Sequence, residues 1–443
     1  MSLKTFRPGG IHLKDQKYFA ERQAIENLPE PKSVIIHLSQ HLGLPAKALV
    51  QKGDHVLMGQ KIAEAQGGFS VPVHASISGT VDAIDRFPHP VLGESEAIRI
   101  QNDFKSEWLP DINQNGLDQA LFSRDRLLFQ IQEAGIVGMG GATFPTHIKL
   151  NPPKDSRVDV LIINGAECEP FLTCDHRLML EKTDTLLEGI SILGDLLDID
   201  SIYIGIEANK KDAISKIQER ILKSSMKVTP QVHALKEKYP QGAEKSLIFA
   251  LTRRIVPIGK LPFDVGVIVQ NVATVIAIAE AIQLKKPLIE RVITVSGDLI
   301  VTPKNLNVRI GTPLQNLIDY CGGYKKDPSR IILGGPMMGL AQKNIDVPIT
   351  KGVSGVLLLS DSSKNQESPC IRCGRCIIHC PAGLMPIKIK EMSVMRRYDK
   401  AKDYHALSCI ECGICSYQCP AKIPLLNYIR DAKIEINKRS RKS

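Results

Sequence analysis

Residues 32–100 alternate short apolar and polar positions in runs cut repeatedly by glycine, the pattern of strands with one buried face and tight turns between them. A small β unit is predicted there. From about residue 121 the texture changes. Leu127, Leu128 and Ile131 fall at helical spacing in the stretch 121–134, which stops at Gly135. Beyond it, 158–163 and 202–206 read as buried strands. Leu186, Ile190, Leu193 and Leu197, then Ala213, Ile214, Ile217 and Ile221, recur with helical period between and after them. Strand alternating with helix predicts a mostly parallel α/β sheet to about Ile289, with ligands in crevices at the carboxyl ends of its strands. The weakly charged stretch 265–284 is about as long as a membrane span, but Gln270, Asn271 and Glu280 interrupt it. A strand followed by a buried helix is expected there, and no transmembrane segment. Residues 291–360 repeat strand, helix, strand on a smaller scale through 292–295, 313–320 and 331–333. Between 384 and 407, Met385, Met392, Met395 and Tyr398 stand at near-helical spacing, which predicts packed helices with these methionines in the core.

A chain of 443 residues is too long for one core and is expected to divide into about three or four units. The net charge is +10, and the excess is uneven: residues 381–443 carry 13 basic and 6 acidic side chains, closing in Lys438-Arg439-Ser440-Arg441-Lys442. That run reads either as a solvated tail or as a docking surface for acidic partners or anionic lipid. Nucleic acid is not an expected partner, because aromatics are only 5% of the chain and none interleave with the basic residues.

The cysteines sharpen the picture. Cys370-x2-Cys373-x2-Cys376-x3-Cys380-Pro381 is repeated 39 residues later as Cys409-x2-Cys412-x2-Cys415-x3-Cys419-Pro420. This is the two-cluster ferredoxin pattern, in which the fourth thiolate of each run serves the other cluster. Two [4Fe-4S] clusters are therefore expected, one on Cys370, Cys373, Cys376 and Cys419, the other on Cys409, Cys412, Cys415 and Cys380. Zinc would need only four thiolates and would leave the remaining spacing unexplained. Disulfides suit the chain less well, since Met1-Ser2-Leu3-Lys4 does not open a secretory signal. His379 is expected to be a neighbour of a cluster, not a ligand, and Cys321 to be structural.

Two further segments look chemical. Residues 135–149 hold Gly138, Gly140 and Gly141, whose amides can approach and cup an anion, and end on Lys149. The stretch follows a helix and lacks the Gly-x-Gly-x-x-Gly spacing, so a Rossmann fingerprint is refused. Asn164-Gly165-Ala166-Glu167-Cys168-Glu169-Pro170 follows a predicted strand, where Glu167 and Glu169 read as ligand-facing or as ordinary solvated charges. In the N-terminal β unit, Val50-Gln51-Lys52-Gly53-Asp54-His55-Val56 and Val73-His74-Ala75-Ser76-Ile77-Ser78-Gly79-Thr80-Val81 resemble the barrel-sandwich fold of lipoyl and biotinyl carriers. The carrier lysine is absent from Gly67-Gly68-Phe69-Ser70, so the resemblance is to a scaffold.

Together with Asn271-Val272-Ala273-Thr274 and Tyr239-Pro240-Gln241-Gly242-Ala243-Glu244, these segments resemble the flavin site of the NADH-binding subunit of respiratory complex I. With Phe6-Arg7-Pro8-Gly9-Gly10-Ile11-His12 at the start and two cubane runs at the end, nearly the whole chain resembles the RnfC family of Rnf electron transport complexes. The resemblance implies flavin mononucleotide (FMN) along Gly138, Gly140, Gly141 and Lys149, with Asn164 and Glu167 beside the ring and ribityl chain and Asn271 and Thr274 at the phosphate. It implies NADH between Phe144 and Phe263, with Glu169 and Glu244 around the dinucleotide. Met139, Ala166, Ala243, Ala273 and Pro152 depart from the complex I pattern, and these departures bear on NADH more than on flavin.

The expected fold class is multidomain, α/β plus β. It comprises an N-terminal segment and barrel-sandwich hybrid (1–120), a flavin and NADH α/β domain (121–290), a β-grasp domain (291–360), a linker (361–368) and a helical two-cluster ferredoxin domain with a basic tail (369–443). By resemblance the chain exchanges hydride with NAD(H) and passes single electrons to or from integral-membrane and ferredoxin-like subunits, peripherally on the cytoplasmic face of a bacterial inner membrane. A cobalamin reductase of diol-degrading microcompartments shares the architecture, and a flavin-free relay or assembly protein is the alternative of another class.

Overall fold

Four strands, Val160–Gly165, Ser201–Glu207, Gln231–Leu235 and Val267–Asn271, form one parallel sheet whose spatial order is third, second, first, fourth. They belong to a computed structural model that describes residues 3–110, 112, 123–153, 155–360 and 366–440. The first strand is buried on both faces. Leu161 and Ile163 join the helices Thr183–Leu197, Lys211–Leu222 and Val272–Leu284 in one core, while Val160 and Ile162 pack with Leu247, Ile248 and Leu251 of the helix Glu244–Thr252 in another. Cover on both faces is why these strands read as apolar runs with little alternation.

The stretch 265–284 resolves into the last strand and the helix Val272–Leu284, buried over most of its surface and started by Asn271, whose side chain accepts from the Ala273 amide at 2.9 Å. Among the described residues no helix is long and apolar enough to cross a membrane. The expected helix of 121–134 is Arg124–Glu133, capped by the Ser123 side chain; 121 and 122 lie outside the described residues.

Around this sheet sit three further units. A four-stranded sheet (Ser33–His37, Gly93–Asn102, Gly79–His89, His55–Val56) and a three-stranded sheet (Lys47–Ala48, Lys61–Glu64, Val73–His74) enclose a core of Val34, Ile36, Ile62, Val73, Ile77, Ile98 and Ile100. A six-stranded mixed sheet holds Glu290–Ser296, Lys304–Arg309, Arg330–Leu333, Leu340–Gln342 and Gly355–Leu359, with the helix Leu314–Tyr320 in its core. Its sixth strand is Ile25–Asn27, parallel to Lys304–Arg309. The chain ahead of residue 31 thus runs outside the barrel-sandwich: it bridges Lys4 to Leu235 and Ile11 to Tyr239, then joins the β-grasp sheet. Cys321 is fully buried in that unit's core.

The last unit is helical, with Pro386–Val394, Tyr398–Asp403 and Leu425–Ser440 packed through Leu384, Ile389, Ala401, Ile429, Ala432 and Ile436. Two of the methionines expected in this core are outside it: Met385 is 40% and Met395 60% exposed, and only Met392 packs against the cluster of apolar side chains. Helix ends displace them. Met385 precedes the first turn of Pro386–Val394 and Met395 follows its last, so helical spacing does not hold through either. Of the basic run, Lys438 and Arg439 lie in the helix and pair with Glu435 and Asp399; residues 441–443, like 361–365 of the expected linker, lie outside the described residues.

Candidate functional site

At the carboxyl edge of the parallel sheet the strand order reverses between the first and fourth strands, and there Asn164 and Asn271 stand opposite one another in register. Open α/β sheets bind ligands in the crevice at this reversal. Asn164 Nδ2 donates to the Gly242 carbonyl at 2.8 Å and its Oδ1 accepts from Ala166 N at 3.1 Å. Asn271 combines its helix cap with donation from Nδ2 to Asp175 Oδ2 at 2.7 Å.

The glycine loop lies against this edge. Gly138 N donates to the Phe144 carbonyl at 2.9 Å, closing the loop, and Met139 N donates to Thr274 Oγ1, also at 2.9 Å, in the first turn of Val272–Leu284. A Cβ on Gly140 would stand 2.9 Å from Asn271 Cβ and Nδ2, whereas one on Gly141 would meet nothing within 4 Å. Backbone here approaches the strand end as only glycine allows, and an open side remains. The start of a 13-residue helix at the same edge favours an anion. Glu167 is buried, with Oε2 lacking a hydrogen-bond partner among the described residues. Glycine cradle and helix start fit a phosphate-bearing ligand.

The other expected contacts divide. Lys149 Nζ is 2.5 Å from Glu244 Oε1, so cation and carboxylate flank the loop as a pair. Phe144 meets Phe69 edge-on at 6.0 Å, placing the barrel-sandwich hairpin, where carriers hold their lysine, against the glycine loop. Phe263 does not join Phe144. It lies on the turn Pro262–Val265 ahead of Val267–Asn271, at the amino edge of the sheet and one strand length, roughly 15 Å, from Asn271. Glu169 is also committed elsewhere: it accepts from Met337 N at 3.0 Å, Met338 N at 2.9 Å and Tyr239 OH at 3.3 Å. Burial raises its carboxyl above the usual range while the two amides oppose the shift. It fastens the β-grasp turn, and these contacts occupy both of its carboxylate oxygens.

The two cysteine runs fold alike. Arg372 and Glu411 both have φ of 56°, Gly374 and Gly413 have 73° and 75°, and Arg372 N and Glu411 N each lie 3.4 Å from the sulfur of Cys370 and Cys409. The left-handed residues turn the amides inward toward the sulfurs. Cys380, Cys409, Cys412 and Cys415 line one pocket, partly open to solvent, with Ile410, Ile414 and Leu426 among its apolar walls. Four thiols converging on one apolar pocket suit an iron–sulfur cube. Burial, with Cys409 and Cys380 close by, pushes the Cys412 and Cys415 thiols up to about 12. Cys370 and Cys373 are exposed, Cys376 and Cys419 half-buried. The His379 ring lies 3.3 Å from the Gly10 carbonyl through Nδ1.

A contact that the motifs did not announce joins the two sites. Tyr239 OH donates to the Cys412 carbonyl at 2.9 Å, and Ile11, Tyr239, Cys412 and Ile414 form a shared apolar cluster. The segment 239–242 therefore touches Asn164 at one end and a cysteine loop at the other. Lys17 was equally silent in sequence: buried, it donates to the Glu169 carbonyl at 3.0 Å and to that of Leu172.

Known proteins resemble the chain throughout. Residues 131–280 match the Nuo51 FMN-binding domain, 4–105 the RnfC barrel sandwich hybrid domain, 292–341 the SLBB domain and 363–420 the 4Fe-4S dicluster domain. The corresponding component of the proton-translocating ferredoxin:NAD(+) oxidoreductase complex of Clostridium ljungdahlii is 49% identical over 98% of this chain and 94% of its own length. Its counterpart in the Na(+)-translocating ferredoxin:NAD(+) oxidoreductase complex of Acetobacterium woodii is 43% identical over 99% and 98%. Among solved structures, an NAD+-reducing [NiFe]-hydrogenase in the H2-reduced state shares the fold, with a TM-score of 0.51 and 18% identity over 71% of this chain and 61% of its own.

Proposed function

The chain belongs to the RnfC family of ion-translocating ferredoxin:NAD(+) oxidoreductase complexes, and from that premise we propose how its residues divide the electron path. Hydride exchange with NAD(H) takes place in the crevice between Asn164 and Asn271, and single electrons pass through two [4Fe-4S] clusters. The cluster of Cys409, Cys412, Cys415 and Cys380 is next to the flavin. That of Cys370, Cys373, Cys376 and Cys419 is the outlet. FMN, when bound, supplies the exchange between an electron pair and single electrons. Gly138, Gly140, Gly141, Thr274 and Asn271 would hold its phosphate and backbone-facing side, Asn164 and Glu167 its ring and ribityl chain. The Lys149–Glu244 pair and Phe144, on the open side of the loop, would meet the dinucleotide.

The observation that carries this order is the Tyr239–Cys412 hydrogen bond, which seats the second cysteine loop across one four-residue segment from Asn164. The exposure of Cys370 and Cys373 supports an outlet on the far side. The FMN-binding family match favours this reading over a flavin-free relay. As part of a membrane complex with no helix suited to spanning among its described residues, the chain would sit peripherally, on the cytoplasmic face where NAD(H) is found.

Anaerobic purification followed by acid extraction tests the reading. Release of FMN, iron and sulfide for two cubes, and bleaching of the flavin by NADH are expected. Protein with both clusters but no extractable flavin would overturn it.

A further inference from the structure

Directly beneath the crevice lies a buried ionic cluster that electron passage does not use. The side-chain oxygens of Glu167 and Asp175 and the Cys174 sulfur lie within 4.8 Å of one another. Glu167 Oε1 accepts from Asp175 N at 2.9 Å and from the Cys174 thiol at 3.4 Å. Its Oε2 lies 3.9 Å from Lys17 Nζ and has no hydrogen-bond partner among the described residues. Asp175 Oδ2 is held by Asn271 Nδ2, the amide against which Gly140 packs.

The surrounding charges do not saturate this pair. Lys210 is bound to Glu207 at 2.7 Å. Lys17 spends donors on the carbonyls of Glu169 and Leu172. Arg291, from the β-grasp strand, donates to the carbonyls of Lys351 and Met139 and leaves Nε unpaired among the described residues. The thiols of Cys168 and Cys174 are held neutral by burial. Burial and then Glu167 push the Asp175 carboxyl up to about 7, against the opposing pull of Asn271, Arg291 and Lys210. A second buried carboxyl within 4.8 Å thus favours the protonated form of Asp175.

Such a pair answers a need of the chemistry. Oxidation of NADH to NAD+ yields two electrons and one proton; two clusters take one electron each, and the proton must go to a base at the site. We propose that Glu167 and Asp175 together are that base, receiving the proton as the electrons leave and returning it when electrons flow the other way to form the hydride. Asp175, tied to the crevice through Asn271 Nδ2, keeps the proton, and Glu167 lies beside it. The assignment rests on the flavin placement proposed above.

Infrared difference spectra of the full chain test it through the C=O stretch of protonated carboxyls. In flavin-free wild-type protein, a carboxyl titrating close to neutrality is expected, lost in Asp175→Asn. In protein loaded with FMN, NADH addition should make a protonated-carboxyl band grow as the clusters are reduced, and Asp175→Asn and Glu167→Gln should each abolish that band. Absence of a carboxyl titrating near neutrality in flavin-free wild type would overturn the proton held on Asp175, even if neither variant folds. A carboxyl that titrates but does not respond to NADH would make the pair structural and overturn its role as base. Wild-type protein that takes up no FMN would overturn the flavin placement and this proposal together, before any carboxyl is read.

Discussion

The Tyr239 hydroxyl donates a hydrogen bond to the carbonyl of Cys412, 173 residues further along the chain. Tyr239 is three residues from Gly242, whose carbonyl holds Asn164 at the crevice where flavin is proposed to bind, so one short segment is wall to both sites. The same hydroxyl reaches Glu169, which pins the β-grasp turn through Met337 and Met338. Three domains therefore fix the position of one cysteine loop.

Tyr239→Phe should loosen that seat without emptying either site. It leaves the Cys412 carbonyl unpaired in a buried setting, a cost of about 1–3 kcal/mol. Rapid mixing with NADH should show normal flavin bleaching and cluster reduction slowed several-fold. Cluster reduction at the wild-type rate would mean that the contact does not set the path.

Gly140→Val should cost FMN and spare the clusters. Its Cβ would stand 2.9 Å from Asn271, so either the loop or the helix cap must shift. Affinity for FMN is expected to fall at least tenfold, or about 1.4 kcal/mol, read by flavin content after gel filtration with iron content unchanged. Full retention of flavin would place the cofactor elsewhere.

Cys380→Ser should damage the cluster beside Tyr239, because Cys380 lines the pocket of Cys409, Cys412 and Cys415. Electron paramagnetic resonance of the reduced protein should show one cubane signal altered or lost and the other kept. Loss of the signal assigned to Cys370, Cys373 and Cys376 instead, checked with Cys373→Ser, would reverse the ligand sharing.

The barrel-sandwich should be acid-labile. Burial holds His37 down to about 4, with His89 adding to the shift, and holds His41 down to about 4, with Lys351 adding; His74 lies well below 6.5 for the same first reason. Below the unfolded value near 6.5 the unfolded chain binds protons that the folded one refuses, so stability falls with pH down to about 4. The loss is on the order of 2–3 kcal/mol for each fully shifted histidine. Lys351, lowered to about 7 by burial, acts in the same direction between that value and its unfolded one, stability rising with pH. Thermal scans of the full chain should give a lower first transition at pH 5 than at pH 8; a flat or inverted profile would contradict this.

Much of the architecture was legible because its signals are local. Buried parallel strands wrote themselves as apolar runs at 158–163 and 202–206, and the interrupted run at 265–284 resolved as strand and helix because Asn271 is a cap. What depended on distant partners was not. Glu169 follows a strand like any crevice carboxylate, and only the return of Met337 and Met338 past it reveals its task. Phe263 is an aromatic near the right strand in sequence but at its wrong end in space. Lys17 and Asp175 carry no spacing signal, since their partners come from other parts of the chain.

The sequence of reduction tests the proposed path most directly. NADH is mixed anaerobically with the oxidised full-length protein, and flavin absorbance and cluster paramagnetism are followed in the same time course, with and without prior removal of FMN. Flavin bleaching should come first, the cluster that responds to Cys380→Ser second and the other last, and flavin-free protein should leave both clusters oxidised. Reduction of either cluster by NADH in flavin-free protein, or reduction of the Cys370 cluster ahead of its neighbour, would contradict the path.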